Sequence, residues 1–95
     1  MVTGSAPIDV EVLNFLKVAF GCPIIEGYGL SETAGASTFT LRDDPLGGHV
    51  GGPLRCSKIR LRDVPEMAYL HTDKPYPRGE VQMMGPNITT GYYKR

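Results

Sequence analysis

The chain has 95 residues, so it can form at most one domain with a modest core. Hydrophobic residues make up 41% of the sequence and charged residues 21%, a composition typical of a globular protein rather than a disordered tail. Ten basic residues balance ten acidic residues, so charge gives no reason to expect nucleic acid or an anionic membrane as a partner. No apolar run approaches the roughly 18 residues that a membrane span needs, and no signal-peptide pattern is present.

The first predicted element is a helix from Val10 to Phe20, after residues 1–7, which look like a strand end and a loop of small residues. Asp9 suits the N-cap, because its carboxylate can accept from the free N–H groups of the first turn. Gly21 suits the left-handed position that follows a helix. The apolar residues recur at helical spacing on one face, which we expect to be buried. That face comprises Val12, Leu13, Leu16, Ala19 and Phe20.

A strand and a glycine-rich loop are predicted next. The strand covers residues 23–26 and runs into residues 27–33, Gly-Tyr-Gly-Leu-Ser-Glu-Thr, which we call the glycine loop. Residues 37–41 are predicted to form another short strand, and residues 42–53 a long loop. The order of helix, strand and glycine loop is typical of α/β proteins.

The second half of the chain is predicted to be rich in β-structure. Alternating apolar and charged residues at 58–62 indicate a strand with one wet face, and residues 80–84 indicate a second strand. Residues 69–70 are expected to form a further short strand. The sequence therefore predicts an α/β part at residues 1–52 and a β-rich part at residues 53–95.

Several polar residues are predicted to have no chemical role. His49 and His71 each lack a nucleophile or a carboxylate at a useful spacing in the sequence. The pair Asp43-Asp44 is expected to lie in a solvated loop. These residues give no reason to predict an acid–base site outside the glycine loop.

The two cysteines and one asparagine motif give information about the cellular compartment of the protein. Cys22 and Cys56 are too few and too far apart for a zinc site or a disulfide framework, so we expect reduced thiols in an intracellular protein. The segment Asn87-Ile88-Thr89 fits a glycosylation acceptor, which would matter only in a secreted protein.

The glycine loop is the best candidate for a functional site, because ligands of α/β sheets bind at the carboxyl ends of strands. Gly27 and Gly29 allow the backbone to approach a ligand closely, and Tyr28 offers a flat face for a purine. The hydroxyls of Ser31 and Thr33 can donate to phosphate oxygens, and the carboxylate between them suits a bridging Mg²⁺. The alternative is a surface turn that merely contains these residues, since short glycine loops are common.

The glycine loop resembles the Gly-Tyr-Gly-x-Thr-Glu signature of the adenylate-forming, or AMP-binding, superfamily. Two other segments match that family in the same order along the chain. Residues 2–7 resemble its Gly-Ala-Pro segment, and residues 78–92 resemble its later Gly-Glu…Gly…Gly-Tyr pattern. Residues 48–54 and 61–67 look particularly like those of eukaryotic-type long-chain acyl-CoA synthetases. The resemblance covers essentially the whole chain. It implies an α/β piece of one larger AMP-binding domain, followed by antiparallel strands of a small β-barrel subdomain.

The same resemblance implies roles for the glycine loop. Glu32 would ligate Mg²⁺, and Ser31, which stands where the family usually has Thr, would offer a hydroxyl to the α-phosphate. These two residues are therefore the expected catalytic pair. Tyr28 would stack on adenine, and Gly27 and Gly29 would line the pocket for the nucleotide.

Residues outside the glycine loop also acquire expected roles from the resemblance. Gly4, Ser5 and Ala6 would run beside the nucleotide and the acyl chain, where small side chains fit. Gly79-Glu80 and Gly91-Tyr92 are expected to be architectural and to shape the β-barrel subdomain.

A long-chain acyl-CoA synthetase joins a fatty acid to ATP, giving acyl-AMP, and then transfers the acyl group to CoA. The resemblance therefore implies ATP, a long-chain fatty acid and CoA as substrates, Mg²⁺ as the metal, and the remainder of a parent chain as partner. The family's upstream phosphate loop, its Thr-Gly-Asp segment and its C-terminal domain are not among these residues, so we expect no ligase activity from them alone. The expected location is intracellular, on the cytosolic face of the endoplasmic reticulum or mitochondrial outer membrane, through segments outside these residues.

Two other functions stay open. The protein would be an adenylating enzyme for another carboxylic acid if its fatty-acid tunnel, which lies mostly upstream in the family, has a different shape. The second alternative is a non-enzymatic module that binds nucleotide weakly or packs against a partner. Strands separated from a larger sheet expose unpaired backbone N–H and C=O groups and apolar surface, which makes such packing possible.

Overall fold

The computed structural model describes residues 1–95 and contains one α-helix, six short strands and two 3₁₀ turns. The helix, α1, covers Val10–Phe20, and the 3₁₀ turns cover Ser31–Thr33 and Pro65–Met67. In chain order the strands are β1 (Val2–Thr3), β2 (Ile25–Tyr28), β3 (Thr38–Phe39), β4 (Gly52–Pro53), β5 (Lys58–Arg62) and β6 (Glu80–Met84). The α/β class predicted from the sequence is confirmed by this architecture.

Helix α1 begins and ends where its capping residues predict. The Asp9 carboxylate accepts from the N–H groups of Glu11 and Val12 at 2.8 and 3.2 Å. Gly21 adopts the left-handed conformation with φ of 59° and donates its N–H to the carbonyl of Val18. Local chemistry alone therefore sets both ends of this helix.

The predicted apolar face of α1 is only partly buried. Leu13 is 2% exposed, whereas Val12 is 49% exposed and Phe20 is 60% exposed. The expectation of a fully buried face was therefore wrong for these 95 residues. Within the predicted face Leu13 is buried and Leu16 is half-buried, whereas Ala19 is exposed like Val12 and Phe20. Spacing alone cannot show how much of a helix face is covered.

Strands β1 to β4 form one sheet in the order β1-β2-β3-β4. Strands β1 and β2 are parallel, with α1 as the crossover between them, while β2–β3 and β3–β4 are antiparallel. Strand β4 lies within residues predicted to be loop, so that prediction was wrong at its end. Pro53 fits an edge strand because it cannot donate a ladder hydrogen bond.

Strands β5 and β6 form a separate two-stranded antiparallel sheet, paired from Lys58 with Met84 to Arg62 with Glu80. The described residues thus contain a β-ribbon and not a closed barrel. Instead of the predicted strand at residues 69–70, a single bridge pairs Val64 with Tyr69. No helix in the chain has the length and apolar character required to cross a bilayer.

The buried interior lies around β2 and β3 and is mostly polar. Leu13 and Ile24 are the two buried apolar residues. The buried polar residues are Glu26, Thr33, Ser37, Thr38, Thr40 and Ser57. Hydrogen bonds account for part of this set, since the Glu26 N–H donates to Thr40 Oγ1 at 2.9 Å. The polar interior surrounds the strand that carries the glycine loop.

Candidate functional site

Gly27 and Tyr28, the first two residues of the glycine loop, are the last two residues of β2, so the strand lies two residues further along the chain than the predicted residues 23–26. The rest of the loop turns through the 3₁₀ turn at Ser31–Thr33. Its backbone closes tightly, because Gly35 donates its N–H to the Leu30 carbonyl at 3.0 Å and Ser37 donates to the Tyr28 carbonyl at 2.8 Å. The sequence predicted a loop after a strand, and in the structure this loop is a compact turn.

Gly29 is required by the close approach of the following segment. A Cβ atom at this position would lie 2.4 Å from the carbonyl oxygen of Gly35 and 2.5 Å from the Cα of Ala36. Any side chain would therefore push the loop open. This contact explains the second glycine of the motif by internal packing, whether or not a ligand is bound.

The two hydroxyls of the loop differ in what they can do. Thr33 is 3% exposed, and its Oγ1 accepts from the Leu30 N–H at 2.9 Å and donates to the Leu30 carbonyl at 3.0 Å. The suggestion that Thr33 donates to phosphate was therefore wrong, because its hydroxyl closes the turn. Ser31 is exposed and its hydroxyl makes no hydrogen bond, so the hydroxyl is available to a ligand.

Some of the expected nucleotide-lining residues share one cavity. Gly4, Ser5, Gly27 and Gly29 all line a cavity of about 190 Å³, together with the ring of Phe39. Ala6, Tyr28, Ser31 and Glu32 lie outside its lining. Tyr28 is half-buried. The structure thus brings the N-terminal small-residue segment against the glycine loop, while the polar side chains of the loop project elsewhere.

The Glu32 carboxylate has a partner that sequence reasoning missed. The Tyr92 hydroxyl donates to Glu32 Oε1 at 2.7 Å. This hydrogen bond lowers the pKa of Glu32 below its ordinary value and, reciprocally, raises the pKa of Tyr92. Tyr92 was expected to be architectural, and its motif carried no signal that it reaches a side chain 60 residues away.

Asn87 is a second partner of the glycine loop that the sequence did not reveal. Its side-chain amide donates to the carbonyl oxygens of Thr33 and Ala36 at 3.2 and 3.3 Å. Its Oδ1 accepts from the Ser57 hydroxyl at 3.5 Å. Residues 87–92, which we call the brace segment, therefore hold the loop from the β-rich half of the chain.

The residues of the loop fit a magnesium ion that is shared with a polyphosphate. Glu32 is exposed and ionised at neutral pH, and Tyr92 engages one of its two carboxylate oxygens. No group of three or more His, Cys, Asp or Glu side chains is placed to form an all-protein metal cage. One carboxylate is sufficient for Mg²⁺ when substrate phosphates and water supply the remaining ligands.

Both histidines have carboxylate partners, contrary to what their sequence spacing indicated. His71 Nδ1 lies 2.7 Å from Asp63 Oδ2, and His49 Nε2 lies 3.1 Å from Asp44 Oδ2. The Gly51 N–H also donates to His49 Nδ1 at 3.1 Å. These pairs tie loops together across several residues. Asp44 was therefore wrongly assigned to a merely solvated loop.

Comparison with known proteins places this architecture among adenylation domains. The adenylation domain of carboxylic acid reductase from Segniliparus rugosus, solved with AMP and a co-purified carboxylic acid, superimposes with a TM-score of 0.72 at 35% identity. The match covers 99% of this chain and 14% of that one. The family model described as "AMP-binding enzyme" matches residues 1–93, and the chain belongs to that family.

Two curated relatives are similar over almost every residue. The chain is 48% identical to fatty acyl-CoA synthetase A of Dictyostelium discoideum over 94 residues, covering 99% of the chain and 14% of the relative. It is 46% identical to the peroxisomal long chain acyl-CoA synthetase 7 of Arabidopsis thaliana, covering 99% of the chain and 13% of the relative. The chain thus spans about one seventh of the length of these relatives.

Proposed function

We propose that the chain is part of the adenylation domain of an ATP-dependent long-chain fatty acid–CoA ligase. The observation that carries the proposal is the glycine loop, which presents an exposed Ser31 hydroxyl and an ionised Glu32 carboxylate within an AMP-binding family member. The two relatives named as fatty or long chain acyl-CoA synthetases, at 48% and 46% identity, support the choice of acid.

The reaction has two steps. A carboxylate oxygen of the fatty acid attacks the α-phosphorus of ATP, a P–O bond forms, and the bond to pyrophosphate breaks. The CoA thiolate then attacks the acyl carbon, a C–S bond forms, and AMP leaves with the electrons of the C–O bond. The first step depends chiefly on positioning and on neutralising phosphate charge.

The glycine loop contributes three functions to that step. Ser31 donates its hydroxyl to the α-phosphate, and the Glu32 carboxylate holds Mg²⁺, which neutralises the phosphate charge when it is bound. Tyr28 stacks on the adenine ring. Gly27 and Gly29 let the backbone of the loop approach the nucleotide.

The small-residue segment at Gly4, Ser5 and Ala6 completes the proposed nucleotide site. A Cβ atom on Gly4 would lie 3.1 Å from the Gly27 carbonyl oxygen, which places the segment directly beside the glycine loop. Its short side chains leave room for the nucleotide and the start of the acyl chain. Residues 1–52 and 53–95 are proposed to be two parts of one larger AMP-binding domain.

The proposed partners are the remainder of that domain and the substrates, with no nucleic acid. The proposed location is intracellular. Endoplasmic reticulum and mitochondrial outer membrane remain the expected sites, and the relative named as peroxisomal adds the peroxisome to them. Any membrane association would involve segments outside these residues.

A second candidate is an adenylating enzyme for another carboxylic acid. It is favoured by the 35% identity to the adenylation domain of a carboxylic acid reductase. The two candidates share the whole mechanism at the glycine loop and differ in the acid. Testing a range of acids on one preparation therefore separates them.

The test is fatty-acid-dependent exchange of pyrophosphate into ATP by the full-length protein, comparing wild type with Glu32→Ala. We expect robust exchange with palmitate and a loss of about a hundredfold in the variant, roughly 2.7 kcal/mol of transition-state stabilisation. Glu66→Ala is the matched control, because Glu66 is likewise an exposed glutamate within a 3₁₀ turn. Its side chain makes no hydrogen bond. Unchanged exchange in Glu32→Ala would contradict the metal role. Exchange with short or aromatic acids, but not palmitate, would favour the second candidate.

A further inference from the structure

We propose that Tyr92 is a positioning residue that holds the Glu32 carboxylate in the orientation that binds the magnesium of Mg·ATP. The inference rests on the metal role proposed above for Glu32. It assigns to the Gly-Tyr pair near the end of the chain a function at the nucleotide site, beyond the architectural role expected of it.

Two hydrogen bonds tie Glu32 to the brace segment. The Tyr92 hydroxyl donates to Oε1 at 2.7 Å, and the Thr89 N–H donates to the Glu32 backbone carbonyl at 2.8 Å. Tyr92 is the one side chain that donates to this carboxylate. The backbone and the side chain of Glu32 are therefore both held by the same segment.

An exposed glutamate needs such a partner to keep one orientation. Glu32 lies on the surface of a short 3₁₀ turn, and a free glutamate side chain gives up substantial rotamer entropy when it is fixed. A hydrogen bond to an ionised acceptor is among the stronger ones in proteins. The phenol occupies one acceptor position on Oε1, and the carboxylate keeps the capacity for a metal.

The position of the Tyr92 hydroxyl is itself fixed relative to the loop. Asn87 anchors the start of the brace segment to the carbonyls of Thr33 and Ala36, on the same turn that carries Glu32. Tyr92 is 54% exposed, and its hydroxyl makes one hydrogen bond, to Glu32. That bond is the interaction that a Tyr92→Phe substitution removes, because the ring is kept.

The experiment measures ATP binding to the full-length protein in the absence of fatty acid, by calorimetry, with Mn²⁺ or Mg²⁺ and separately with EDTA. For Tyr92→Phe we expect a three- to tenfold weaker affinity for the metal complex and an unchanged affinity for metal-free ATP, since one hydrogen bond to a charged group is lost. Tyr93→Phe is the matched control, because Tyr93 is adjacent, 88% exposed, and its hydroxyl makes no hydrogen bond. Melting temperatures of all variants establish that each is folded.

Glu32→Gln, alone and combined with Tyr92→Phe, separates the possible results. If Glu32→Gln and Tyr92→Phe each weaken metal-dependent binding, and Tyr92→Phe adds nothing in the Glu32→Gln background, the inference is supported. If Glu32→Gln weakens binding but Tyr92→Phe does not, the positioning role is overturned while the proposed function stands. If Tyr92→Phe weakens binding equally with metal and with EDTA, Tyr92 is merely structural and the inference is overturned. If Glu32→Gln leaves metal-dependent binding unchanged, both the metal role and the inference fail.

Discussion

The side-chain nitrogen of Asn87 lies 3.2 Å from the carbonyl oxygen of Thr33, a residue 54 positions earlier in the chain. A backbone carbonyl in a tight turn has few other donors within reach. The contact therefore replaces a hydrogen bond that the turn cannot make for itself. It joins the two halves of the chain at the place where the candidate site lies.

Asn87→Ala should lower the stability of the full-length protein by about 1–3 kcal/mol, because two half-buried carbonyl oxygens lose their donor. The change is measured as a shift of the melting temperature or of the denaturant midpoint. Asn14→Ala is the control, since Asn14 is exposed on α1 and its side chain makes no hydrogen bond. Equal effects of the two substitutions would contradict the anchoring role of Asn87.

Gly27→Ala should destabilise the sheet by about 1–3 kcal/mol through overpacking. A Cβ atom at Gly27 would lie 2.4 Å from Phe39 Cε1 and 3.1 Å from the Thr38 carbonyl oxygen. Gly52→Ala in the same sheet is the control, because a Cβ atom there meets nothing within 4 Å. A Gly27→Ala protein as stable as the Gly52→Ala protein would show that Phe39 moves aside at little cost.

Lowering the pH should reduce the contribution of Asp63 to the stability of the folded protein. The backbone N–H of His71 donates to Asp63 Oδ1 at 2.7 Å, and this bond, with the His71 ring, lowers the pKa of the carboxyl. A lowered pKa gives stability that is present above the unfolded value of about 3.9 and is lost as pH falls through the folded value. The melting temperature of wild type should therefore exceed that of Asp63→Asn near pH 6, and the difference should narrow below about pH 4.

Asp43→Asn is the control for that measurement, because Asp43 is exposed and accepts no hydrogen bond. Its melting temperature should follow that of wild type at every pH. If the difference in melting temperature between wild type and Asp63→Asn stays constant from neutral to acid pH, the charge of Asp63 contributes nothing to stability.

The 95 residues expressed by themselves should not unfold cooperatively. Only two apolar residues, Leu13 and Ile24, are buried, while large side chains such as Phe15 and Val18 are 69% and 83% exposed. So small an apolar interior cannot offset the conformational entropy of ordering the chain. Near-ultraviolet circular dichroism and sizing chromatography check this prediction, and a monomer with a sharp melting transition would contradict it.

The sequence predictions that were confirmed depend on interactions between residues close together in the chain. The bounds of α1 depend on Asp9 and Gly21, each of which acts within a few residues of itself. The loop that follows β2 likewise depends on contacts within residues 28–37. These interactions have short sequence separation, so composition and spacing are enough to predict them.

The predictions that failed depend on contacts that spacing in the sequence does not reveal, some between distant residues and some within a single loop. Nothing near Tyr92 indicates that its hydroxyl reaches Glu32, and nothing near Asp63 indicates that it accepts from His71. The burial of Thr33 depends on how the loop folds onto itself, which its hydroxyl alone does not reveal. Edge strand β4 pairs with Phe39 across a long loop, and its Gly-Pro sequence has low strand propensity.

The 60-residue separation of Glu32 from Tyr92 also has a consequence for synthesis of the protein. Chains are made from the N-terminus at about 5–20 residues per second, so Tyr92 is added roughly 3–12 s after Glu32. During that interval the nascent glycine loop has neither the amide of Asn87 nor the phenol of Tyr92 to hold it. The Glu32 carboxylate therefore reaches its final position late in synthesis, after the second half of this chain has left the ribosome.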